Sequence, residues 1–301
     1  MATETLSQEF SRGCAELEAR LRTLPDKPEE TVAATLQTLW HLATGRALSV
    51  EVATRTALGP LDGDARVRLS SLLEQRLSGQ PLAHLTGRQH FMGLEMLAGK
   101  EALIPRIETE LLGRAALDLL CAYGGDSENL TVLDICTGSG NLALALAYHE
   151  PKSRVFAADL SAEAIDLARR NAVHLGMQTR VEFRVGDLLE PFNVAAFHEQ
   201  VDLLVCNPPY ISSKKVDTLA TEIGGFEPRL AFDGGPLGIG ILTRVIREAP
   251  LFLKQGGWLA LEVGLGQATS IVKRMQGIGA YRSVSSLTNQ LGEPRTVIAQ
   301  R

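Results

Sequence analysis

The chain has 301 residues, of which 45% are hydrophobic and 22% are charged, a balance typical of folded globular proteins and unlike that of disordered or fibrous ones. Its formal net charge of −5 argues against a broad phosphate-binding surface, although a local basic patch is compatible with it. No apolar run approaches the ~20 residues that a membrane-spanning helix needs, so we expect no membrane partner.

Cysteine usage and the first residues indicate a compartment. The four cysteines, at positions 14, 121, 136 and 206, show neither a CxxC pair nor the Cys/His spacing of a metal site. Without a disulfide framework we expect reduced thiols and no metal. The opening "MATETLSQEF" is polar and lacks the basic and then apolar layout of a signal peptide. We therefore expect a cytoplasmic protein.

The first 85 residues have the period of helices. The segments "LSQEFSRGCAELEARL", "ETVAATLQTLWHLATG" and "DARVRLSSLLEQRLSG" place apolar residues three or four positions apart. Gly45 and Gly79 follow as C-terminal stops, and Pro25 and Pro28 separate the first helix from the second. These patterns predict a small helical bundle over residues 1–85 that docks a substrate and lacks a basic face for nucleic acid.

The helical period is lost over residues 86–110, which carry three glycines and one proline. This composition predicts a linker, with room for a short hairpin. The linker leads into a second domain over residues 111–301.

From Asn129 onward, predicted strands alternate with predicted helices. The strands are residues 131–136, 154–159, 181–185, 201–206 and 258–263. The helices are residues 141–149 and 162–175, the second with Ser161 as its N-cap and Gly176 as its stop. Strands separated by helices predict an α/β domain of the Rossmann type, with a mostly parallel, doubly wound sheet.

The segment "VLDICTGSGNLALALA" is a strand, a glycine turn and a helix in succession. Gly138 and Gly140 allow a tight turn and a close approach of the backbone to a ligand. Asp159, at the end of the next strand, can accept both hydroxyls of a ribose, and Asp187, after the third strand, can meet an adenine edge. The turn alone is compatible with a dinucleotide, but Asp134 and Asp159 favour a cationic sulfonium over an anionic pyrophosphate.

The fourth predicted strand ends in Asn207-Pro208-Pro209-Tyr210, where two prolines force the chain out of the sheet. Ligands of parallel sheets bind at this edge. The Asn207 side-chain oxygen and the Pro208 carbonyl can accept both hydrogens of a planar NH2 group, and the Tyr210 ring can pack on it. Such an arrangement orients a poorly nucleophilic nitrogen toward a methyl donor without a strong base.

The tetrapeptide resembles that of amino-methyltransferases that act on the nitrogen of a planar system. Four further stretches, "GQPLAHLTGRQHFMGLEM", "ALIPRIETELL", "FEPRLAFDGG" and "GGWLALEVGLGQ", extend the resemblance over almost the whole chain. They are similar to the protein-(glutamine-N5) methyltransferases of peptide chain release factors (PrmC/HemK). The resemblance implies a Rossmann-type domain that binds S-adenosyl-L-methionine, yields S-adenosyl-L-homocysteine and methylates the glutamine of a Gly-Gly-Gln loop.

The resemblance also implies roles for single residues. The expected cofactor-binding residues are Asp134, Thr137, Gly138, Ser139, Gly140, Asp159, Asp187, Leu188 and Asn207. The expected catalytic residues are Asn207, Pro208 and Tyr210. The expected substrate-binding residues are Asn207, Pro208, Pro209, Tyr210, Arg106 and Glu227, with loop anchoring as the alternative role for the last two.

Some details of the sequence differ from the family's pattern. Cys136 stands where the family has the first glycine of the turn. A side chain is tolerable there if the backbone stays extended, but it crowds the methionine end of the cofactor. The alternative acceptors are another protein, a small molecule with an amide or amine, and adenine N6 in nucleic acid. Of these, nucleic acid is disfavoured by the scarcity of basic residues beside the corner. We expect a monomer.

Overall fold

A computed structural model describes residues 2–124, 129–218 and 224–301 of the chain. Its first part is helical, and the helices pack around a buried cluster that includes Leu36, Leu39 and Trp40. The helices are α1 (Ala2–Glu18), α2 (Val32–Ala43), α3 (Val50–Thr54), α4 (Gly63–Leu77) and α5 (Leu82–Thr86). Side-chain oxygens of Thr31 and Asp62 cap α2 and α4 by accepting backbone N–H groups. None of the described helices is long and apolar enough to cross a membrane.

A short antiparallel hairpin follows the helices, formed by β1 (Arg88–Phe91) and β2 (Leu94–Leu97). Its buried side chains join the core of the second part of the chain. The hairpin falls within the segment for which the sequence left room for one. The division into residues 1–85, 86–110 and 111–301 stays a proposal.

The second part is a sheet with helices on both faces. It contains α6 (Thr109–Gly124), β3 (Leu130–Ile135), α7 (Asn141–His149), β4 (Ser153–Asp159), α8 (Ala162–His174), β5 (Val181–Val185), β6 (Val201–Cys206), α9 (Ser213–Val216), α10 (Gly240–Glu248), β7 (Leu253–Glu262), α11 (Ala268–Ile278), β8 (Ser283–Thr288) and β9 (Pro294–Gln300). The strand order is β5-β4-β3-β6-β7-β9-β8. The predicted fold class, a mostly parallel Rossmann-type sheet, is confirmed.

The middle strands are covered on both faces, which explains their apolar sequences. All six residues of β6 are buried, although the second of them is Asp202. Its carboxylate accepts the Thr131 N–H at 2.8 Å and pairs with Lys254 at 2.7 Å. These partners compensate the charge in an otherwise apolar strand.

The sequence patterns missed one part of the sheet. The strands β8 and β9 pair antiparallel with each other, and β9 pairs antiparallel with β7. β8, at the edge of the sheet, has four exposed and two half-buried residues, so it lacks the continuous apolar run that marked the parallel strands.

One buried side chain holds the hairpin against the rest of the domain. Asn171 of α8 donates from Nδ2 to the Leu97 carbonyl at 3.2 Å and to the Ser139 carbonyl at 3.0 Å. Its Oδ1 accepts the Leu97 N–H at 2.7 Å. Asn171 therefore joins β2, α8 and the turn that follows β3.

We expect Asn171→Ala to lower the free energy of unfolding by about 3 kcal/mol, because it leaves buried backbone groups without partners. Urea denaturation of the full chain measures the change. His174→Ala, on the exposed side of the same helix, is the control and should change the free energy by less than about 0.5 kcal/mol. Equal stability of the two variants would contradict the role given to Asn171.

Candidate active site

Two cavities meet at the corner that follows β6. The first, which we call the loop cavity, has about 160 Å³ and is lined by the turn after β3 and by the ends of β4 and β5. The second, the corner cavity, has about 110 Å³ and is lined by the residues that follow β6 and by Glu262 at the end of β7. The residues that line both cavities are Leu103, Arg106, Thr109, Asn207 and Ala231.

The turn after β3 has three residues in the left-handed region of the backbone. They are Cys136 at φ +60°, Gly138 at +55° and Gly140 at +81°. A Cβ at Gly140 would lie 3.1 Å from Ala168 and 3.2 Å from the Phe183 ring, so only glycine fits there without displacement. The condition that the backbone stays extended at Cys136 is not met, because the chain already turns at this residue with a left-handed backbone like that of the two glycines.

Asp134 lies beneath this turn and does not line the loop cavity. Its Oδ2 accepts from the Thr137 hydroxyl at 2.6 Å and from the Ala143 N–H at 3.1 Å. Burial raises the pKa of Asp134 to about 7. Its contacts are those of a group that holds the turn against α7. Ser139 and Gly140 likewise lie behind the cavity wall, whereas Thr137 and Gly138 line it.

Asp159, the last residue of β4, lines the loop cavity. Its Oδ2 accepts the Gly138 N–H and its Oδ1 accepts the Ser161 N–H, both at 2.9 Å. Burial raises the pKa of Asp159, and these two N–H groups oppose the increase. The Leu160 N–H acts in the same direction, and the carboxylate keeps a further lone pair that can accept a ligand hydroxyl.

Asp187 and Leu188 continue the wall of the loop cavity after β5. The Asp187 carboxylate pairs with Arg244 of α10 at 3.0 Å. Leu188 has a φ of +52°. The sequence prediction grouped these two residues with Asp159, and the structure brings all three to one cavity.

Asn207 is the first residue beyond β6, and it lines both cavities. Its Nδ2 donates to the Thr109 hydroxyl at 3.2 Å. This bond does not use Oδ1, which can accept a hydrogen bond from a ligand. The two prolines line different cavities, Pro209 the loop cavity and Pro208 the corner cavity. The corner is thus the wall between the two spaces.

Tyr210 lines the corner cavity, and its hydroxyl is held in a chain of polar contacts. The hydroxyl donates to Glu262 Oε1 at 3.0 Å and accepts from Arg295 Nη2 at 3.1 Å. Burial raises the pKa of Tyr210, and the nearby Glu262 carboxylate adds to the increase. The ring is therefore a fixed neutral surface of the corner cavity.

Arg106 and Glu227 form a buried pair. Arg106 Nη2 lies 2.5 Å from Glu227 Oε1, and Arg106 Nε lies 2.8 Å from Asp26 in the helical part. Glu227 Oε2 also accepts the Ile104 N–H at 2.8 Å. Arg106 lines both cavities, whereas Glu227 lies behind the wall. The contacts of Glu227 are those of loop anchoring, the alternative that the sequence left open.

Three residues at this site were missed by the sequence patterns: Thr109, Glu262 and Arg295. Thr109 begins a helix, and Arg295 lies in a strand that was not predicted. Glu262 carried a signal that could have been used, because it is a charged residue at the end of the apolar run "WLALE". A buried carboxylate in such a strand is commonly functional or paired.

The likeness to known proteins agrees with this geometry. A sequence model of the family described as "Methyltransferase domain" matches residues 126–268. A "Release factor glutamine methyltransferase" of Moorella thermoacetica is 38% identical over 78% of this chain and 80% of its own. A relative with the same name from Koribacter versatilis is 33% identical over 99% of both chains. The structure of a methyltransferase from Pyrococcus furiosus has the same fold, with a TM-score of 0.50 at 18% identity, over 77% of this chain and 98% of its own. From its identity to these relatives, the chain belongs to the family of release factor glutamine methyltransferases.

Proposed function

We propose that this protein transfers a methyl group from S-adenosyl-L-methionine to the side-chain amide nitrogen, N5, of a glutamine in a peptide chain release factor. We propose the glutamine of a Gly-Gly-Gln loop as the acceptor and the cytoplasm as the compartment. The observation that carries the proposal is the position of Asn207, in the wall between the loop cavity and the corner cavity. A transfer between two bound molecules requires one group that can contact both.

The residues of the loop cavity fit S-adenosyl-L-methionine. Among the described residues that line it, the charged ones are four acids, Glu101, Asp159, Asp187 and Asp233, and a single arginine, Arg106. That arginine is paired with Glu227 and Asp26. Three of the acids are also paired with arginines, Glu101 with Arg170, Asp187 with Arg244 and Asp233 with Arg229. Asp159 is the acid for which the described residues supply no cationic partner, and its charge beside the glycine turn attracts a sulfonium and repels a pyrophosphate. When bound, this cofactor supplies an electrophilic methyl group.

We propose that residues of the loop cavity bind the cofactor. Thr137 and Gly138 allow close approach of the backbone, and Asp159 accepts ribose hydroxyls. Asp187 and the Leu188 backbone meet the adenine. Asp134, Ser139 and Gly140 act from behind the wall by fixing the shape of the turn.

The corner residues orient the acceptor. The Asn207 Oδ1 and the Pro208 carbonyl accept the two hydrogens of the planar NH2 group, so that the lone pair of the nitrogen faces the loop cavity. The prolines hold these acceptors before the substrate binds, which reduces the entropy lost on binding. Tyr210 covers one face of the amide. Loss of a proton is easy once the nitrogen is methylated, so no strong base is needed.

Methyl transfer to a release factor tests this proposal. The purified protein is incubated with labelled S-adenosyl-L-methionine and, side by side, a release factor, the same factor with its Gly-Gly-Gln glutamine changed to alanine, and DNA. We expect label in the first sample only, located at that glutamine by mass spectrometry. Label in the alanine factor would refute the assigned glutamine, and label in DNA alone would refute the substrate class.

Asn207→Ala should lower kcat on the release factor by about 10²- to 10³-fold, the usual effect of losing one preorganised polar group. Affinity for the cofactor should change by less than about tenfold, since Asp159 and the glycine turn remain. Steady-state kinetics and calorimetric titration with S-adenosyl-L-homocysteine give the two quantities. Near-normal turnover of this variant is the outcome that contradicts the corner mechanism.

Asp159 should make cofactor binding depend on pH. Its pKa is raised, and only the ionised carboxylate keeps all its acceptor sites, so affinity should fall as the pH drops through that raised pKa. Asp159→Asn should raise the Kd about 10- to 100-fold at pH 8, the effect of losing hydrogen bonds to a charged group.

The comparison of wild type with Asp159→Asn shows the contribution of Asp159. Asp134 titrates in both proteins, and removal of the Asp159 charge takes away one of the minor causes that raise the pKa of Asp134. Calorimetric titrations from about one and a half pH units below neutrality to about one unit above it should show a steeper dependence on pH in the wild type. Parallel curves would mean that Asp159 does not contact the ligand.

A further inference from the structure

We infer that Thr109 is a positioning residue for the methyl transfer: with Glu262, it turns the Asn207 amide so that the oxygen, and not the nitrogen, faces the acceptor. The inference rests on the proposed function and deepens it, because it explains how the corner presents an acceptor of hydrogen bonds.

Thr109 lies at the point where the two cavities meet. It is the first residue of α6, is 1% exposed and lines both cavities. Its backbone N–H donates to the Arg106 carbonyl at 3.1 Å, which fixes the start of the helix. Its hydroxyl accepts from Asn207 Nδ2 at 3.2 Å. The hydroxyl is therefore the described group that holds the Asn207 amide.

Glu262 lines the corner cavity together with Thr109. The carboxylate is 3% exposed, and its Oε1 accepts from the Tyr210 hydroxyl. Burial raises the pKa of Glu262, and the nearby Thr109 hydroxyl opposes this increase. Oε2 is buried and has no hydrogen-bond partner within the described ranges. Thr109 and Glu262 line the same cavity, so the unsatisfied Oε2 is the acceptor toward which the Thr109 proton can rotate.

The chemistry of the three groups fixes the direction of each hydrogen bond. An ionised carboxylate only accepts, and a threonine hydroxyl has a single proton. When that proton is directed at Glu262, the Thr109 oxygen can only accept from Asn207. The NH2 end of the Asn207 amide must then face Thr109, and its Oδ1 must face the opposite side.

The flipped amide would be a poor catalyst for a physical reason. It would set Oδ1 against the lone pairs of Thr109 and would point two N–H donors at an acceptor NH2 group that also donates. The oxygen of a planar amide and its nitrogen are nearly equal in size, so shape alone does not choose between the two orientations. Thr109 makes the choice through its proton.

The charges around Glu262 keep it an acceptor. Arg295 Nη2 lies 3.9 Å from Glu262 Oε1 and 2.7 Å from Glu108 Oε2, so one guanidinium serves two carboxylates. Together with the hydroxyls of Tyr210 and Thr109, this cation supports the ionised form of the buried acid against its desolvation.

Two variants of Thr109 separate the hydroxyl from the methyl group. Thr109→Val keeps the shape of the side chain and removes the proton, and it should lower kcat about 10- to 100-fold, as expected for a misoriented catalytic group. Thr109→Ser keeps the proton and should stay within about threefold of the wild type. The KM values for release factor and cofactor should change less than about threefold in both, because the amide still fills the same space.

Thr179→Val is the matched control, since Thr179 is exposed in the turn before β5, and its kcat should equal that of the wild type. Thermal unfolding of all variants checks that they fold. A normal kcat for Thr109→Val, or a Thr109→Ser variant that folds and is as impaired as the valine variant, would overturn the inference.

Glu262→Gln tests the interaction between Thr109 and Glu262 by changing the carboxylate, and its kcat is measured in place of that of Thr109→Val if the valine variant fails to fold. A glutamine at position 262 can donate a hydrogen bond to Thr109, so the threonine proton can turn toward Asn207. The Asn207 amide would then flip, and its Oδ1 would face Thr109 instead of the methyl acceptor. The double variant that combines Thr109→Val with Glu262→Gln should be no slower than the slower single variant, because each substitution breaks the same chain of hydrogen bonds. Additive losses would contradict the coupling.

Wild-type turnover on the release factor tests the proposed function alone, since it involves no variant. The role of Thr109 is tested by the ratio of variant to wild-type turnover, measured on the acceptor that the wild type methylates in the assay. A failure of one is thereby distinguished from a failure of the other.

Discussion

The parallel pairing of β3 with β6 is the constraint on which the site depends. Ile135 is directly opposite Cys206 in this pairing, so the next residue of each strand leaves the sheet at the same edge. One exit is the glycine turn that begins at Cys136, and the other is the corner that begins at Asn207. Residues some 70 positions apart in the chain are thereby brought together by backbone hydrogen bonds alone, and a one-residue slip would turn the side chains of one strand to the opposite face of the sheet.

Burial divides the acids near this edge into two groups. Asp134 and Glu227 are buried behind the cavity walls, and their hydrogen bonds fix the turn and the Arg106 loop. Asp159 combines two backbone donors with a place in the wall of the loop cavity, so it can act on a ligand. A carboxylate next to a glycine turn is therefore not by itself a ligand contact. What decides is whether the carboxylate reaches the cavity wall, since both Asp134 and Asp159 accept hydrogen bonds from the protein and, of the two, Asp159 lines the loop cavity.

The local features of this molecule were predictable from its sequence, whereas the contacts between distant segments were not. The strand residues 201–206 and the corner after them were evident, because a buried strand needs a continuous apolar run and two prolines must end it. The left-handed backbone of Cys136 was not, since only glycine marks that conformation in a sequence. The bond between Asn207 and Thr109 joins residues 98 positions apart, and no periodic pattern encodes such a pair.

The missed strand β9 is also the one that completes the electrostatics of the corner. Thr296 of β9 is opposite Glu262 of β7 in their antiparallel pairing, and this register brings the neighbouring Arg295 within reach of the buried carboxylate. Without that cation, an ionised Glu262 in a dry site would be costly, and a protonated one could donate to Thr109 instead of accepting from it. The direction of the hydrogen bonds that end at Asn207 therefore depends on a strand at the far end of the chain.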